Sequence, residues 1–177
     1  MKPFIGIKNI WYGEPLKTAP TAAGLKTLLA SDAFTKVNNS HEGTWSYTQD
    51  DPSVTDYINE LTGKPYYRDM TNGGNKTIAV TLGVYSFEDK VALQGGTVVE
   101  ENGEKVGWTS PENPALVYKA VVAETKTGNF IVFTNAGIVA KANAVEKNLG
   151  LGITAVAMDN EVSTVMDEYL FDGEKVK

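Results

Sequence analysis

Few residues in this chain are of types that do chemistry, and their spacing limits what they can do. His41 is the only histidine. It sits in Ser40-His41-Glu42, which holds the residue types of a nucleophilic triad. Consecutive side chains on an extended segment point to opposite faces, so these three cannot relay a proton among themselves. Catalysis would need remote partners, and an ordinary polar loop histidine accounts for the same residues. Asp50, Asp51 and Asp56 are close enough in sequence for acid–base work or a hard cation. Their spacing lacks the central glycine and closing glutamate of a calcium loop, and a helix cap or solvated turn explains them better. Gly150-Leu151-Gly152 lacks the third glycine of a dinucleotide fingerprint, and no Gly-Lys-Ser/Thr phosphate loop occurs. There is no cysteine, which excludes disulfides, thiolate nucleophiles and cysteine metal sites. The expectation is a protein that is not an enzyme, with no catalytic, cofactor-binding or metal-binding residues to assign.

What the chain does offer is aromatic and acidic surface. Trp11, Tyr12, Trp45, Tyr47, Tyr57, Tyr66, Tyr67 and Trp108 fall in strand or loop contexts. Sugar or base stacking uses such residues, and so do cores and subunit interfaces. The charge balance is 16 basic against 22 acidic side chains, a net charge of −6. Residues 1–148 hold 14 basic and 16 acidic groups, residues 149–177 hold 2 and 6. An acidic chain has no electrostatic footprint for wrapping nucleic acid, although it can line a surface past which nucleic acid slides. Asp159, Glu161, Asp167, Glu168 and Asp172 form a diffuse acidic run, read either as a solvated face or as a lining that repels phosphate. Without a basic groove, core and interface are the favoured roles for the aromatic residues.

The elements that must position these groups are mostly strands. A chain of 177 residues is expected to form one domain with a proper core. Ile78, Val80, Leu82 and Val84 alternate with smaller or polar residues, and Trp45 and Tyr47 alternate with Thr44, Ser46 and Thr48. Residues 115–123 are apolar on both parities, as in a strand covered on both faces. Asn102-Gly103 predicts a type I′ hairpin over 97–109, and Thr127-Gly128-Asn129 a turn before a strand from Phe130. Leu151, Ile153, Ala155 and Ala157 alternate again. Ser86 with Glu88 and Asp89 predicts a capped helix at about 86–94, with Phe87 and Val91 on one face; a short second helix fits residues 20–30. The segment 51–63 is ambiguous. Val54, Tyr57, Ile58 and Leu61 have helical spacing behind Asp51-Pro52, yet a strand pair turning at Thr62-Gly63-Lys64 fits as well. Residues 30–57 contain only one clean strand and read as a protruding arm. No apolar run reaches the ~20 residues a membrane helix needs, and Met1–Lys8 is too short and too charged for a signal peptide. A cytoplasmic origin is expected.

The segment Gly43-Thr-Trp-Ser-Tyr-Thr-Gln-Asp-Asp-Pro-Ser-Val-Thr-Asp-Tyr57 resembles the paired strands and acidic turn of tail tube (major tail) proteins of long-tailed phages. Ile78 to Asp89 resembles the strand that feeds their helix, Ala120 to Ala136 their late hairpin, and Leu149 to Met158 the strand that follows. Together these cover roughly residues 40–160 in order. The resemblance implies a mainly β fold of two packed antiparallel sheets, a sandwich closing toward a barrel, with one flanking helix. It also implies six-fold or pseudo-six-fold rings stacked into a tube with an acidic lumen, through which DNA passes without binding. The implied partners are further copies of the chain and other tail proteins (tape measure, initiator, terminator), and the implied location is the virion tail, assembled in the host cytoplasm. The candidate inter-subunit contacts are then Trp45, Tyr47, Tyr57, Tyr66 and Tyr67, on an arm over 44–67. The candidate lining is Asp159, Glu161, Asp167 and Glu168, in an acidic C-terminal segment at 159–177. The tube subunit of a contractile injection or type VI secretion apparatus shares the fold and is the nearest alternative. A carbohydrate-binding sandwich module is the alternative from another class.

Overall fold

A computed structural model describes residues 1–176. Its main sheet is antiparallel. The path runs β2 (Phe34–Lys36), β1 (Asn9–Gly13), β9 (Val117–Glu124), β10 (Phe130–Val145), β11 (Asn148–Ala157), β6 (Lys76–Leu82) and β3 (Ser46–Gln49), and β12 (Glu168–Phe171) joins β10. β10 organises the rest. Its register against β9 shifts between Phe133 and Ala136. Before the shift, Phe130–Phe133 pairs with β9 on one side and β12 on the other. After it, β11 takes the place of β12. Such a bulge bends a strand and sharpens its twist, which lets one strand serve two packed layers. The bulged residues are polar: most of their groups find partners, while the buried Asn135 Oδ1 has none among the described residues. The Thr134 amide donates to the Asp167 carbonyl at 3.0 Å, and the Asn135 side chain donates to the Asp159 carbonyl at 2.8 Å.

The architecture is therefore the expected mainly β sandwich of packed antiparallel sheets, left open at β2 and β3 rather than closed into a barrel. The core between the layers joins Ile10, Tyr12, Val121, Ala123, Ile131 and Phe133 to Ile78, Val80, Leu82, Leu151, Ile153 and Ala155. Strand β9 is covered on both faces, as its unbroken apolar run predicts. Val121 and Ala123 face the main core, while Ala120 and Val122 join Trp11, Phe130 and Val132 in a second cluster. Helix α1 (Leu25–Leu29) caps that cluster with Leu25 and Leu29, within the 20–30 window.

Helix α2 (Phe87–Gln94) flanks the sandwich, one residue shorter than expected because Ser86 is its cap. The Ser86 side chain accepts from the Asp89 amide, and Asp89 answers on the Ser86 amide. The residue that anchors it is Leu93, while Phe87 is exposed. The Asn102-Gly103 hairpin forms between β7 (Thr97–Glu101) and β8 (Glu104–Thr109), with φ of 52° and 82° at its two central residues, as a type I′ turn requires. The strand expected from Phe130 continues to Val145. Within the acidic C-terminal segment, β12 completes the sheet beside β10.

Candidate functional site

Between Gln49 and Lys76, themselves paired across β3 and β6, the chain makes an excursion. The two ways out are tied by the Asp50 amide donating to the Asn75 carbonyl at 2.9 Å. Beyond that tie, β4 (Ser53–Asn59) and β5 (Lys64–Asn72) pair only with each other. Of the two readings of 51–63, the strand pair is the one that forms. Val54, Thr55, Tyr57 and Ile58 are β-branched or aromatic, and each finds a cross-strand neighbour. Tyr57 lies on Tyr67 with ring centroids 5.6 Å apart, Val54 faces Met70, and Arg68 donates to Asp56 through Nε at 2.6 Å and Nη2 at 2.9 Å. The guanidinium holds the Asp56 carboxyl below its ordinary range, and the carboxylate raises Arg68. Asp51 and Pro52 start no helix. At the turn, the Leu61 amide donates to the Asn59 side chain at 2.9 Å and the Gly63 amide to the Asn59 carbonyl at 2.8 Å.

This hairpin buries almost nothing. Leu61 is 96% exposed and Tyr66 71%, and Val54, Tyr57, Ile58, Tyr67 and Met70 are all exposed with them. Both faces are involved, because Val54 and Met70 point one way while Tyr57 and Tyr67 point the other. An isolated two-stranded hairpin is marginal in water, and a long apolar one invites pairing or packing with another chain. Exposed apolar surface gathered on one projection marks an interaction site.

The five aromatic residues singled out from the sequence separate into two groups. Tyr57, Tyr66 and Tyr67 lie on the exposed hairpin. Trp45 and Tyr47 belong to the body, half-buried against the main core. The projection therefore spans 51–74 rather than 44–67, since β3 is already part of the sheet. Tyr47 sits tilted at 49° to Phe133, with ring centroids 6.3 Å apart, and donates its hydroxyl to Glu168 at 2.8 Å. Burial first, then that bond to Glu168, raises the Tyr47 hydroxyl far above the ordinary phenol range.

The acidic candidates also divide. Asp167 and Glu168 close a network on Lys76, with Nζ 2.8 Å and 3.3 Å from their carboxylates. Partial burial of Lys76 opposes its charge, yet the two acids outweigh it and its affinity for the proton rises. Asp159 and Glu161 are exposed and make no ion pair among the described residues. The remaining chemical candidates have structural partners. His41 sets its Nδ1 3.1 Å from the Glu42 carbonyl, and its amide donates to Thr81 at 2.8 Å. Gly150 brings β11 onto β6: a Cβ there would stand 2.6 Å from the Thr81 methyl group. Among the described residues no three His, Cys, Asp or Glu side chains gather into a metal-binding group, and no helix is long and apolar enough to cross a membrane.

Sequence reasoning missed Val54, Ile58, Leu61 and Met70 as surface features. The alternation through Tyr66-Arg68-Met70, set against the Asp56/Arg68 charge match, was the available signal. It also missed a smaller apolar patch on the body, where Tyr118 and Met158 flank Gly137 beside Val139. No protein-family model matches this chain, and no curated protein matches it either.

Proposed function

We propose that this chain is a structural subunit that assembles with copies of itself into rings, stacked as a tail tube through which DNA passes. One observation carries the reading: the β4–β5 hairpin holds seven large apolar side chains in solvent, away from a sandwich that is already packed without them. A monomer gains nothing from such an arm, whereas a neighbouring subunit can bury it. Covering about 1,000 Å² of total surface marks the lower bound of a specific interface, and a nine-residue strand with its partner offers a surface of that order. The open sheet edges at β2 and β3 offer further hydrogen-bonding rows to neighbours. Contacts of this kind are heterologous, with arm on one copy and acceptor on the next, and they close into rings when the rotation divides the circle. Asp159 and Glu161 stay uncommitted in the fold and suit a wall that repels phosphate.

The test is light scattering over a concentration series, with negative-stain microscopy of the heaviest fraction. Rings or tubes support the reading. A strict monomer at every concentration that also binds glycans would replace it with the carbohydrate-binding alternative.

A further inference from the structure

A bulge in the arm leaves one aromatic ring with nothing to pack on. In the β4–β5 register Tyr57 pairs with Tyr67 and Ile58 with Pro65, so Tyr66 is the extra residue and has no partner on β4. A bulge of this kind re-aims a side chain. Tyr57 and Tyr67 rest on each other, whereas Tyr66 stands in solvent and joins no aromatic pair among the described residues.

The body carries a surface of matching chemistry. Tyr118 on β9 and Met158, just past β11, lie over Gly137 on β10: a Cβ built there would stand 3.6 Å from Met158 Cγ and 3.9 Å from both Met158 Sδ and Tyr118 Cε1. With no side chain at Gly137, the ring and the thioether settle onto the strand as an apolar tile. Val139 and Leu116 extend it, and all four side chains are exposed. Two clefts continue the tile. One of about 680 Å³ adjoins Tyr118, with Pro15, Leu16 and Val162 on its wall. The other, about 470 Å³, adjoins Leu116 and Val139, with Pro111 and Pro114 on its wall. Asn135 Oδ1 and Gln94 Oε1 are buried without a partner among the described residues, and each belongs to a residue lining one of these clefts. Buried polar groups are normally paired, so two orphans beside one apolar surface mark it as unfinished in a single chain.

We propose that Tyr66 on the arm of one copy packs on the Tyr118–Met158 tile of a second copy. The inference rests on the self-assembly reading and names the acceptor of the arm. A tyrosine ring pairs favourably with a second ring and with a thioether sulfur, and the tile offers both. Charge selects the tile over a second arm. Residues 51–74 carry four acids (Asp51, Asp56, Glu60, Asp69) and two bases (Lys64, Arg68), a net charge of −2, so two arms repel each other. Beside the tile, the exposed Lys17 and Lys141 balance the exposed Asp159 and Glu161, and Lys119 is held by Glu14. The arm therefore meets no such repulsion there. Within one chain Tyr66 and the tile are both exposed, so neither covers the other, and two different surfaces meeting make a head-to-tail contact.

The chain has no cysteine, so introduced thiols report single contacts. Ile58→Cys stands opposite Pro65 beside the bulge and Val139→Cys at the edge of the tile, both at exposed positions, and Tyr66, Tyr118 and Met158 stay intact. Circular dichroism first checks that each variant is folded. The two full-length chains are mixed at a concentration where the wild type assembles and treated with a short bis-maleimide. A cross-linked pair is expected from the mixture, and much less from either chain alone or from I58C with V106C, an exposed site on β8. Independently, Tyr66→Ala is expected to raise the concentration needed for assembly at least about fivefold, as loss of an aromatic anchor does, while Tyr66→Phe stays within about twofold of wild type, because the ring makes the contact. Met158→Ala is expected to cost less when added to Tyr66→Ala than it does alone, since both act on one contact. Assembly without the I58C–V139C link, I58C chains that link to one another as arm on arm, or effects of Y66A and M158A that simply multiply would overturn this contact and leave the self-assembly reading intact. A wild-type chain that never assembles removes both.

Discussion

Replacing residues 51–74 by Asn-Gly removes the whole apolar arm at a point where the fold already closes. Asp50 and Asn75 are hydrogen-bonded at 2.9 Å, and Gln49 pairs with Lys76, so a two-residue type I′ turn joins β3 to β6 without moving either strand. Shortening the connection roughly twelvefold lowers its closure cost by about 2 kcal/mol. Little is lost in exchange, because the arm contributes no residue to either buried cluster and an isolated hairpin is marginal on its own. The truncated chain is therefore expected to be as stable as the full one or up to about 2 kcal/mol more stable, which corresponds to a Tm rise of no more than about 8 °C. Urea unfolding followed by tryptophan fluorescence reads this, since Trp11, Trp45 and Trp108 all lie outside the deleted segment. Assembly, read by light scattering, is expected to disappear. A stability loss above about 2 kcal/mol, or a chain that does not fold, refutes the separation of arm from body. Cutting only 50–64 is a poorer experiment: it removes β4 and leaves β5 as an unpaired, tyrosine-rich edge.

Further predictions concern the body and the arm's surface. Phe133→Ala, at a fully buried position between the layers, should cost about 3–5 kcal/mol in urea unfolding. Gly96→Ala should cost at least about 1 kcal/mol, because its φ is +90° and a Cβ would stand 2.2 Å from the Thr109 carbonyl; the Trp108 indole, which donates to Gly95, reports the disturbance. Tyr12 and Tyr47 are raised by burial first and by their bonds to Asp89 and Glu168 next, and Lys76 is raised by Asp167 and Glu168 despite burial. A raised folded-state pKa gives stability that is complete below the unfolded value and is lost as pH rises toward the folded one, so stability should fall above about pH 10. Tyr12→Phe with Tyr47→Phe should flatten that fall when unfolding is measured from pH 8 to 11. Tyr66→Ser with Tyr67→Ser should change stability by no more than about 0.5 kcal/mol each while raising the concentration needed for assembly.

The parts of the fold legible in the sequence are those whose pattern reflects burial in the monomer. Ile78, Val80 and Leu82 alternate because one side of β6 faces the core, and 115–123 is apolar throughout because β9 is covered twice. The Asn102-Gly103 turn is legible because its backbone angles demand those residues. The segment 51–63 is ambiguous for a physical reason: apolar spacing records which face is buried, and this arm buries neither in its own chain. β12 is obscured because Asp167 and Glu168 look like a solvated acidic run until Lys76, far away in sequence, and Tyr47 are brought beside them. The same distance effect placed Trp45 and Tyr47 among interface candidates. Their alternation marks a strand, but only the packed layers show that Phe133 and Glu168 occupy the face they present.

Hydrogen–deuterium exchange across the β4–β5 hairpin, measured at several protein concentrations, tests most directly whether the arm is an assembly element. The amides of 53–72 should exchange fast in dilute protein and become protected as concentration rises, while those of β9 and β10 stay protected throughout. Exchange in the arm that is independent of concentration, whether fast or slow, would contradict the account.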